Sequence, residues 1–386
     1  MQIIKVNDKK SAKEFLKAPL IIYKKDENWI RPLDRDVEAV FDPKRNKYFS
    51  HGEAVRWILT DAKGNLCGRV AAFINEKTAN SFDQPTGGMG FFECVNDKEF
   101  AFVLFDTCKH WLEKRGMKAM DGPINFGERD KFWGLLVEGF TEPTYGCSYN
   151  PPWYKDLFES YGFREYFGGN TYIKEINEPI SEKYYERAKE ILDDPDYHFE
   201  HMHKDQPDKY ADVIRTIYNK SWVKHDNFKP MEKAQARAMM KKVKPVADER
   251  LVWIGYHKGE PVAIFGMLPE LNQIFKYVNG KLNLSGKLIF LWHKWKKTSK
   301  RIHGFLFGVI PEYQGKGISS AIIIKAKEEI HKLNRYDDME MAFIGDFNPR
   351  MMALVEGLGA KLHKRHITYR KLFDPDAEFK KAPTIE

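Results

Sequence analysis

The stretch that most restricts how this chain can fold is Gly304 to Lys332, G-F-L-F-G-V-I-P-E-Y-Q-G-K-G-I-S-S-A-I-I-I-K-A-K-E-E-I-H-K. Phe305, Phe307 and Val309 alternate as strand residues do, and Pro311 ends the ladder because it has no N–H to donate. Gln314-Gly315-Lys316-Gly317 then turns the chain. From Ile318 the period becomes helical, with Ile322, Ala326, Ile330 and Leu333 on one face. Two glycines without Cβ at a helix N-terminus let several N–H groups converge where the macrodipole also favours an anion. The expectation is a strand, a turn that cradles a diphosphate, and a long helix.

Two common diphosphate motifs fail on the residues. A nucleotide P-loop would need Gly at 310 and Ser or Thr at 317, where the chain has Ile310 and Gly317. A dinucleotide G-x-G-x-x-G would need a third glycine where Ser320 stands.

Gln314-Gly315-Lys316-Gly317-Ile318-Ser319 resembles the acyl-CoA motif [RQ]-x-x-G-x-[GA] of GNAT N-acyltransferases, with Ser319 replacing the usual small residue. Further on, Asn348, Leu354, Glu356, Leu358 and Gly359 fall in register with that family's next strand and helix. The resemblance covers roughly 197–372. It implies that backbone groups of Phe307, Gly308 and Val309 hold the pantetheine and polarise the thioester. It further implies that the N–H groups of Gly315, Lys316, Gly317, Ile318, Ser319 and Ser320 hold the diphosphate, and that Asn348 meets the pantetheine arm. The donor would be acetyl-CoA or a longer acyl-CoA, the acceptor a primary amine of unknown identity, and no metal is implied. Gly317→Glu is expected to abolish CoA binding and leave the fold intact. Where the family usually has a tyrosine to protonate the leaving sulfur, this chain has Val355. Candidate bases are His303, whose imidazole titrates in the useful range, then Asp346 and Tyr369.

The first half rehearses the second. Glu53–Thr60 and Leu66–Asn75 read as a hairpin, Gly90–Val95 as a strand, Phe100–Leu112 as a helix, and Pro152–Tyr161 as a shorter helix. The same order recurs from Arg250, and N-P-P-W-Y-K-D-L-F-E-S-Y-G-F parallels N-P-R-M-M-A-L-V-E-G-L-G-A. The expected fold class is therefore α+β, as two GNAT-like halves, each a mixed and mostly antiparallel sheet flanked by helices. The halves would be 1–177, degenerate and shaping the acceptor pocket, and 178–386, carrying acyl-CoA. In place of a glycine turn the first half has Asn96-Asp97-Lys98-Glu99, whose carboxylates repel a diphosphate. Its Asp121–Gly127 and Cys147–Tyr154 segments resemble the G-P-x-N and Y-N-P-P-[YW]-Y loops of long bacterial GNAT-like proteins. They read either as pocket walls or as a stiff connection between halves. Trp222, His225, Asp226 and Phe228 are further pocket candidates.

An insertion at about 271–301 carries eight Lys/Arg and no acidic residue, which equals the whole net charge of +8. Leu288, Leu291, Trp292 and Trp295 would share one side of a helix, with Lys294, Lys296 and Lys297 towards the other. Three readings stand in this order: a helix packed on its own domain, an anionic membrane surface met through 282–301, and, last, nucleic acid. A Fem-like aminoacyl transferase and a non-catalytic acyl-CoA sensor or scaffold are the alternatives to the acyltransferase.

At 42% apolar and 31% charged, the composition is that of an ordinary globular chain with no membrane-spanning stretch. The start, M-Q-I-I-K, does not read as a secretory signal. Four cysteines without C-x-x-C spacing suggest reduced thiols. His201 and His203 lie on one strand face without completing a metal motif. The expected location is the cytoplasm, with peripheral association at the inner membrane surface as an extension of the lipid reading.

Overall fold

The structure, a computed structural model, describes residues 1–81, 84–221 and 230–384. In chain order the first part contains β1 (Gln2–Lys5), α1 (Lys9–Ile22), α2 (Asp34–Val40), β2 (Gly52–Thr60), β3 (Leu66–Asn75) and β4 (Thr86–Cys94). Then come α3 (Lys98–Glu113), β5 (Ala119–Gly122), β6 (Leu135–Glu138), α4 (Tyr154–Ser160) and β7 (Arg164–Glu175). The second part opens with α5 (Glu182–Asp193), β8 (Tyr197–His201), α6 (Pro207–Ser221), α7 (Lys233–Val243), β9 (Val252–His257) and β10 (Glu260–Pro269). It continues with α8 (Asn272–Phe275), α9 (Leu284–Trp295), β11 (Arg301–Val309), α10 (Ile318–Leu333), β12 (Asp338–Gly345), α11 (Pro349–Gly357) and β13 (Lys361–Leu372).

One sheet runs through the molecule in the order β1-β2-β3-β4-β5-β13-β7-β12-β11-β10-β9-β8, with β6 added beside β13. It is antiparallel except at two places. β4 and β5 run parallel over Thr86–Gly88 and Ala119–Asp121, and β11 and β12 do so over Arg301–Gly304 and Asp338–Met341. Beyond those few residues each parallel pair diverges, so each half contains a V-shaped opening in its sheet. This is the mixed, mostly antiparallel α+β architecture that the GNAT resemblance implies.

The order of the central strands is not legible in the periodicity. β13, the last strand of the chain, lies between β5 and β7 of the first part, while β7 reaches across to pair with β12. The burial pattern follows the exchange. Ile367 and Tyr369 of β13 are in the first core with Phe92, Phe105 and Phe158. Tyr172 of β7 is in a second-half cluster with Met341, Ile344 and Val355. Burying large side chains across the exchange makes each half's core depend on the other half's strand, because every such side chain removed from water contributes about 1.5–3 kcal/mol. A buried bidentate pair, Arg370 with Asp121 at 2.6 and 2.8 Å, fastens β13 to β5.

By its sequence 178–207 reads as a linker between the halves with a short helix over 182–192, but α5 is built into the second core. Tyr184, Ala188 and Ile191 pack there with Ile318, Ile322 and Ile330 of α10. The Tyr184 hydroxyl also donates to the Leu354 carbonyl of α11, so α5 braces both helices.

Candidate functional site

The site is assembled at the divergence of β11 and β12. Past Gly304, β11 remains paired with β10 but has no partner on its β12 side, which leaves the main chain of Phe305 to Val309 bordering the opening. Opposite Gly266 and Met267 the register slips, and Phe305 is the extra residue of a bulge. A bulge re-aims the local N–H and C=O groups. Phe307 and Val309 pack their side chains on the core beneath α10, with Phe307 also reaching the edge of the opening.

At the end of the strand the turn forms as the glycines require. Gly315 and Gly317 have φ of +77° and +86°, where an L side chain is strained. The Gln314 carboxamide donates to the Val309 carbonyl at 2.9 Å and pins the turn to β11, so Gln314 acts here as a staple. Helix α10 begins at Gly317 with no side-chain cap. Among the described residues, the N–H groups of Gly315, Lys316, Gly317, Ile318, Ser319 and Ser320 donate to no backbone or side-chain acceptor. Six unsatisfied donors at the start of a four-turn helix form a site for an anion. A Cβ at Gly315 would meet nothing within 4 Å, so the turn faces open space there. Gly317 differs: a Cβ would lie 2.1 Å from the Arg187 carbonyl of α5. The expectation that Gly317→Glu would leave the fold intact is therefore corrected, since that side chain would force α5 away.

Between α10 and α11, above the V, lies an apolar cleft of about 650 Å³ lined by Phe307, Ile323, Met341, Met351 and Val355 among others. Val355 is fully buried there and brings no hydroxyl. Asn348 caps α11, its Oδ1 accepting from the Met351 N–H at 3.1 Å, which leaves the amide NH₂ as the group it can offer a ligand.

On the opposite face of β11 the structure pairs His303 with a residue that sequence reading missed. Its Nδ1 lies 3.4 Å from Oε2 of Glu270, and the two side chains are 15% and 3% exposed. Both atoms are buried without a hydrogen-bond partner among the described residues. The other Glu270 oxygen accepts from the N–H groups of Tyr145 and Asn272 at 2.8 and 2.7 Å, which fixes the carboxylate. The first half thus supplies a loop that orients a second-half dyad. The signal available beforehand was weak: an acidic residue between a strand proline and the insertion.

The other two base candidates are placed elsewhere. Asp346 accepts from the Gly168 N–H at 2.7 Å and closes the β12–β7 junction. Tyr369 is fully buried in the first-half core, donating to Glu159 at 3.0 Å, with its hydroxyl pushed up by burial. Neither shares the dyad's surroundings. Trp222, His225, Asp226 and Phe228 lie outside the described residues.

In the first half the equivalent helix start is occupied. The Asp97 carboxylate accepts from the N–H groups of Glu99 and Phe100 and so caps the helix itself. The half instead walls a cavity open to solvent with Trp29, Phe91, Phe132, Tyr145, Cys147 and Tyr149. The two particular loops of the first half do line a pocket, since Pro123, Ser148 and Asn150 also border it. Burial pushes the Cys147 thiol up to about 12, so it stays protonated at neutral pH. Beneath the loop, His366 donates from Nε2 to the Ser148 carbonyl at 2.9 Å, and burial lowers its pKa to about 4.

No family model matches the chain. It is 27% identical to the bacterial ceramide synthase of Caulobacter vibrioides, over 96% of this chain and 97% of that protein. It is 25% identical to protein YghO of Escherichia coli, over 94% and 93%. Among solved structures, a tandem GNAT protein from the clavulanic acid biosynthesis pathway superposes with a TM-score of 0.56 at 10% identity, over 97% of this chain and 99% of that one. A GCN5-related N-acetyltransferase from Sphaerobacter thermophilus gives 0.50 at 10% identity, over 98% of each chain. Two diverging parallel pairs, a glycine cradle at the head of one long helix and neighbours of this architecture over nearly the whole length agree: the chain has the tandem GNAT fold, two GNAT halves joined in one sheet.

Proposed function

We propose that the protein is an N-acyltransferase that moves an acyl group from acetyl-CoA or a longer acyl-CoA to a primary amine. The observation that carries this reading is the run of six unpartnered N–H groups from Gly315 to Ser320 at the mouth of a strand opening. A diphosphate bound there sends its pantetheine arm between β11 and β12, along the free main chain of Phe307, Gly308 and Val309 and past Asn348. The apolar cleft beside Val355 suits the thioester end of the donor. A neutral amine then attacks the thioester carbonyl, a β11 N–H stabilises the oxyanion, the C–S bond breaks, and CoA leaves as the thiolate. His303 takes the amine proton, and Glu270 holds the imidazole and stabilises the imidazolium that forms. Thiolate is a good leaving group near neutral pH, so Val355 in place of a hydroxyl slows departure without preventing it.

The acceptor we favour is a lipid amine, supported by the relative described as a ceramide synthase, since making a ceramide means acylating the amine of a long-chain base. The first half, 1–177, would shape the acceptor pocket, and 178–386 would hold the donor. Val355, which brings no hydroxyl where an acid for the leaving sulfur would stand, also favours a second reading, a protein that binds acyl-CoA without turnover.

The test is calorimetry with CoA, followed by thiol-release assays with short and long acyl-CoAs over amines that include long-chain bases. His303→Gln and Glu270→Gln should each lower kcat by about 10²–10⁴ while CoA affinity is kept. CoA binding without release for any amine would favour the second reading. Absence of both binding and release would remove the acyl-transfer proposal.

A further inference from the structure

Helix α9 is built inside out. Leu284, Leu288, Leu291, Trp292 and Trp295 recur at the spacing of one helical face, within an arc of about 100°. On a helix packed against its own domain this stripe would be buried. Instead these five side chains are between 53% and 77% exposed. The face turned inward is the less apolar one. Gly286 lies against the Lys281 carbonyl, Phe290 stacks on Phe275 with ring centres 5.5 Å apart, and His293 stacks on Tyr277 at 3.9 Å. The helix rests on its own body through this face, and its apolar stripe is left outside.

The charges around the stripe sort into two groups. Lys276 pairs with Glu142, Arg301 pairs with Asp338 and Glu340, and Lys294 donates to the Pro245 carbonyl. By contrast Lys281, Lys287, Lys296, Lys297 and Lys300 are exposed and form no ion pair among the described residues, and the insertion has no acidic residue. Lys296 sits over the Trp292 ring at 4.7 Å. Exposed leucines and tryptophans rimmed by unpaired lysines are complementary to a surface that is apolar inside and anionic at its boundary.

We propose that α9 docks this protein on an anionic lipid bilayer, with its apolar stripe in the interface and its free lysines against the headgroups. A second copy of the chain does not fit the patch, because two such faces would bring like charges together. Nucleic acid does not fit either, since three of the five stripe residues are leucines that cannot stack on bases. The inward face of α9, behind the docked stripe, adjoins the first-half cavity. Leu33 and Tyr145 line that cavity and also belong to the cluster of Phe275 and Phe290 that carries the insertion. Tyr145 in turn positions Glu270 beside His303. On the acyl-transfer reading, on which this last step rests, the acceptor is an amphiphilic amine taken from the leaflet.

The experiment is co-sedimentation of the full chain with phosphatidylcholine vesicles, with and without phosphatidylglycerol, at low and high salt. Binding is expected to the anionic vesicles alone and to be lost at high salt. Trp292→Ser/Trp295→Ser and Lys287→Gln/Lys296→Gln/Lys297→Gln should each weaken it about tenfold or more, with thermal unfolding unchanged. No binding at low salt, or equal binding by wild type and both variants, would overturn the proposal. So would a dimer in the absence of vesicles that dissociates on Trp292→Ser. None of these measurements uses catalysis. Bound protein that fails to acylate any vesicle-held amine would count against acyl transfer and leave the docking intact.

Discussion

The two halves place a long helix at the same point of the same topology and give its first turn opposite treatment. At α10 the entry is Gly315-Lys316-Gly317, with no side chain over the end of the helix and its N–H groups free. At α3 the entry is Asp97, whose carboxylate already satisfies two of those donors. An N-terminal turn can either be capped from within, which stabilises the helix by about 1 kcal/mol, or be kept open for an anion. The tandem fold thus caps the helix start in one half and leaves it without a side-chain cap in the other. The half without the cradle is not inert: its Tyr145 loop orients Glu270, and its central gap is filled by β13.

Predictions that break or sharpen this contrast can be ordered by size. The largest concerns the exchange that makes the halves interdependent. Arg370→Leu leaves Asp121 buried and unpaired and should cost about 3–5 kcal/mol in urea denaturation. A loss no larger than that of an exposed charge would mean the halves do not need the exchanged strand. Next comes His366 of that strand, held neutral with a pKa of about 4 beneath the first-half loop. The unfolded chain protonates near the ordinary imidazole value of about 6.5. As pH falls below about 6.5 the unfolded state binds the proton first, so stability is lost progressively down to about pH 4 and is complete above that window, a difference on the order of 3 kcal/mol. His366→Gln should flatten that part of a stability–pH curve measured by thermal unfolding, and an unaltered curve would mean His366 does not carry it.

Converting one half into the other gives smaller effects with opposite readouts. Ser319→Asp puts a carboxylate into the open turn of α10, as Asp97 does in α3. It should weaken CoA binding about 100-fold, roughly 2.7 kcal/mol, while the melting temperature holds, because an acidic residue suits a helix start. Calorimetry showing affinity within threefold of wild type would remove the cradle assignment. The smallest effect is Asp97→Ala, which should destabilise by about 1 kcal/mol and leave CoA binding unchanged. A new CoA site in the first half of that variant would show that the carboxylate alone separates the two turns.

Much of this contrast is written locally. Gly315 and Gly317 adopt left-handed backbone that glycine takes at least cost, and Asp97 two and three residues before free N–H groups can only cap them. Strands and helices with clear periods, such as β2, β3, β9, β10 and α10, lie where that period places them. What was missed depends on distance in sequence. α5 was read as part of a linker because nothing in Glu182–Asp193 says that its partner is α10. Gly317 was read as a free cradle residue because its neighbour, the Arg187 carbonyl, is far away in the chain.

The residue pattern alone was enough for the kinds of element, the glycine turn at 315–317, and the stripe and lysines of α9, because spacing along a helix or strand fixes which side chains share a face. Tertiary structure decided which of those faces meet. It put β13 between β5 and β7, brought Glu270 to His303 under the control of Tyr145, sent Tyr369 into the opposite core, and turned the α9 stripe outward. Those outcomes follow from pairing strands and closing cores across long stretches of chain, where the winning contact is set by the area buried and the polar groups satisfied by the whole fold, not by any one segment's pattern.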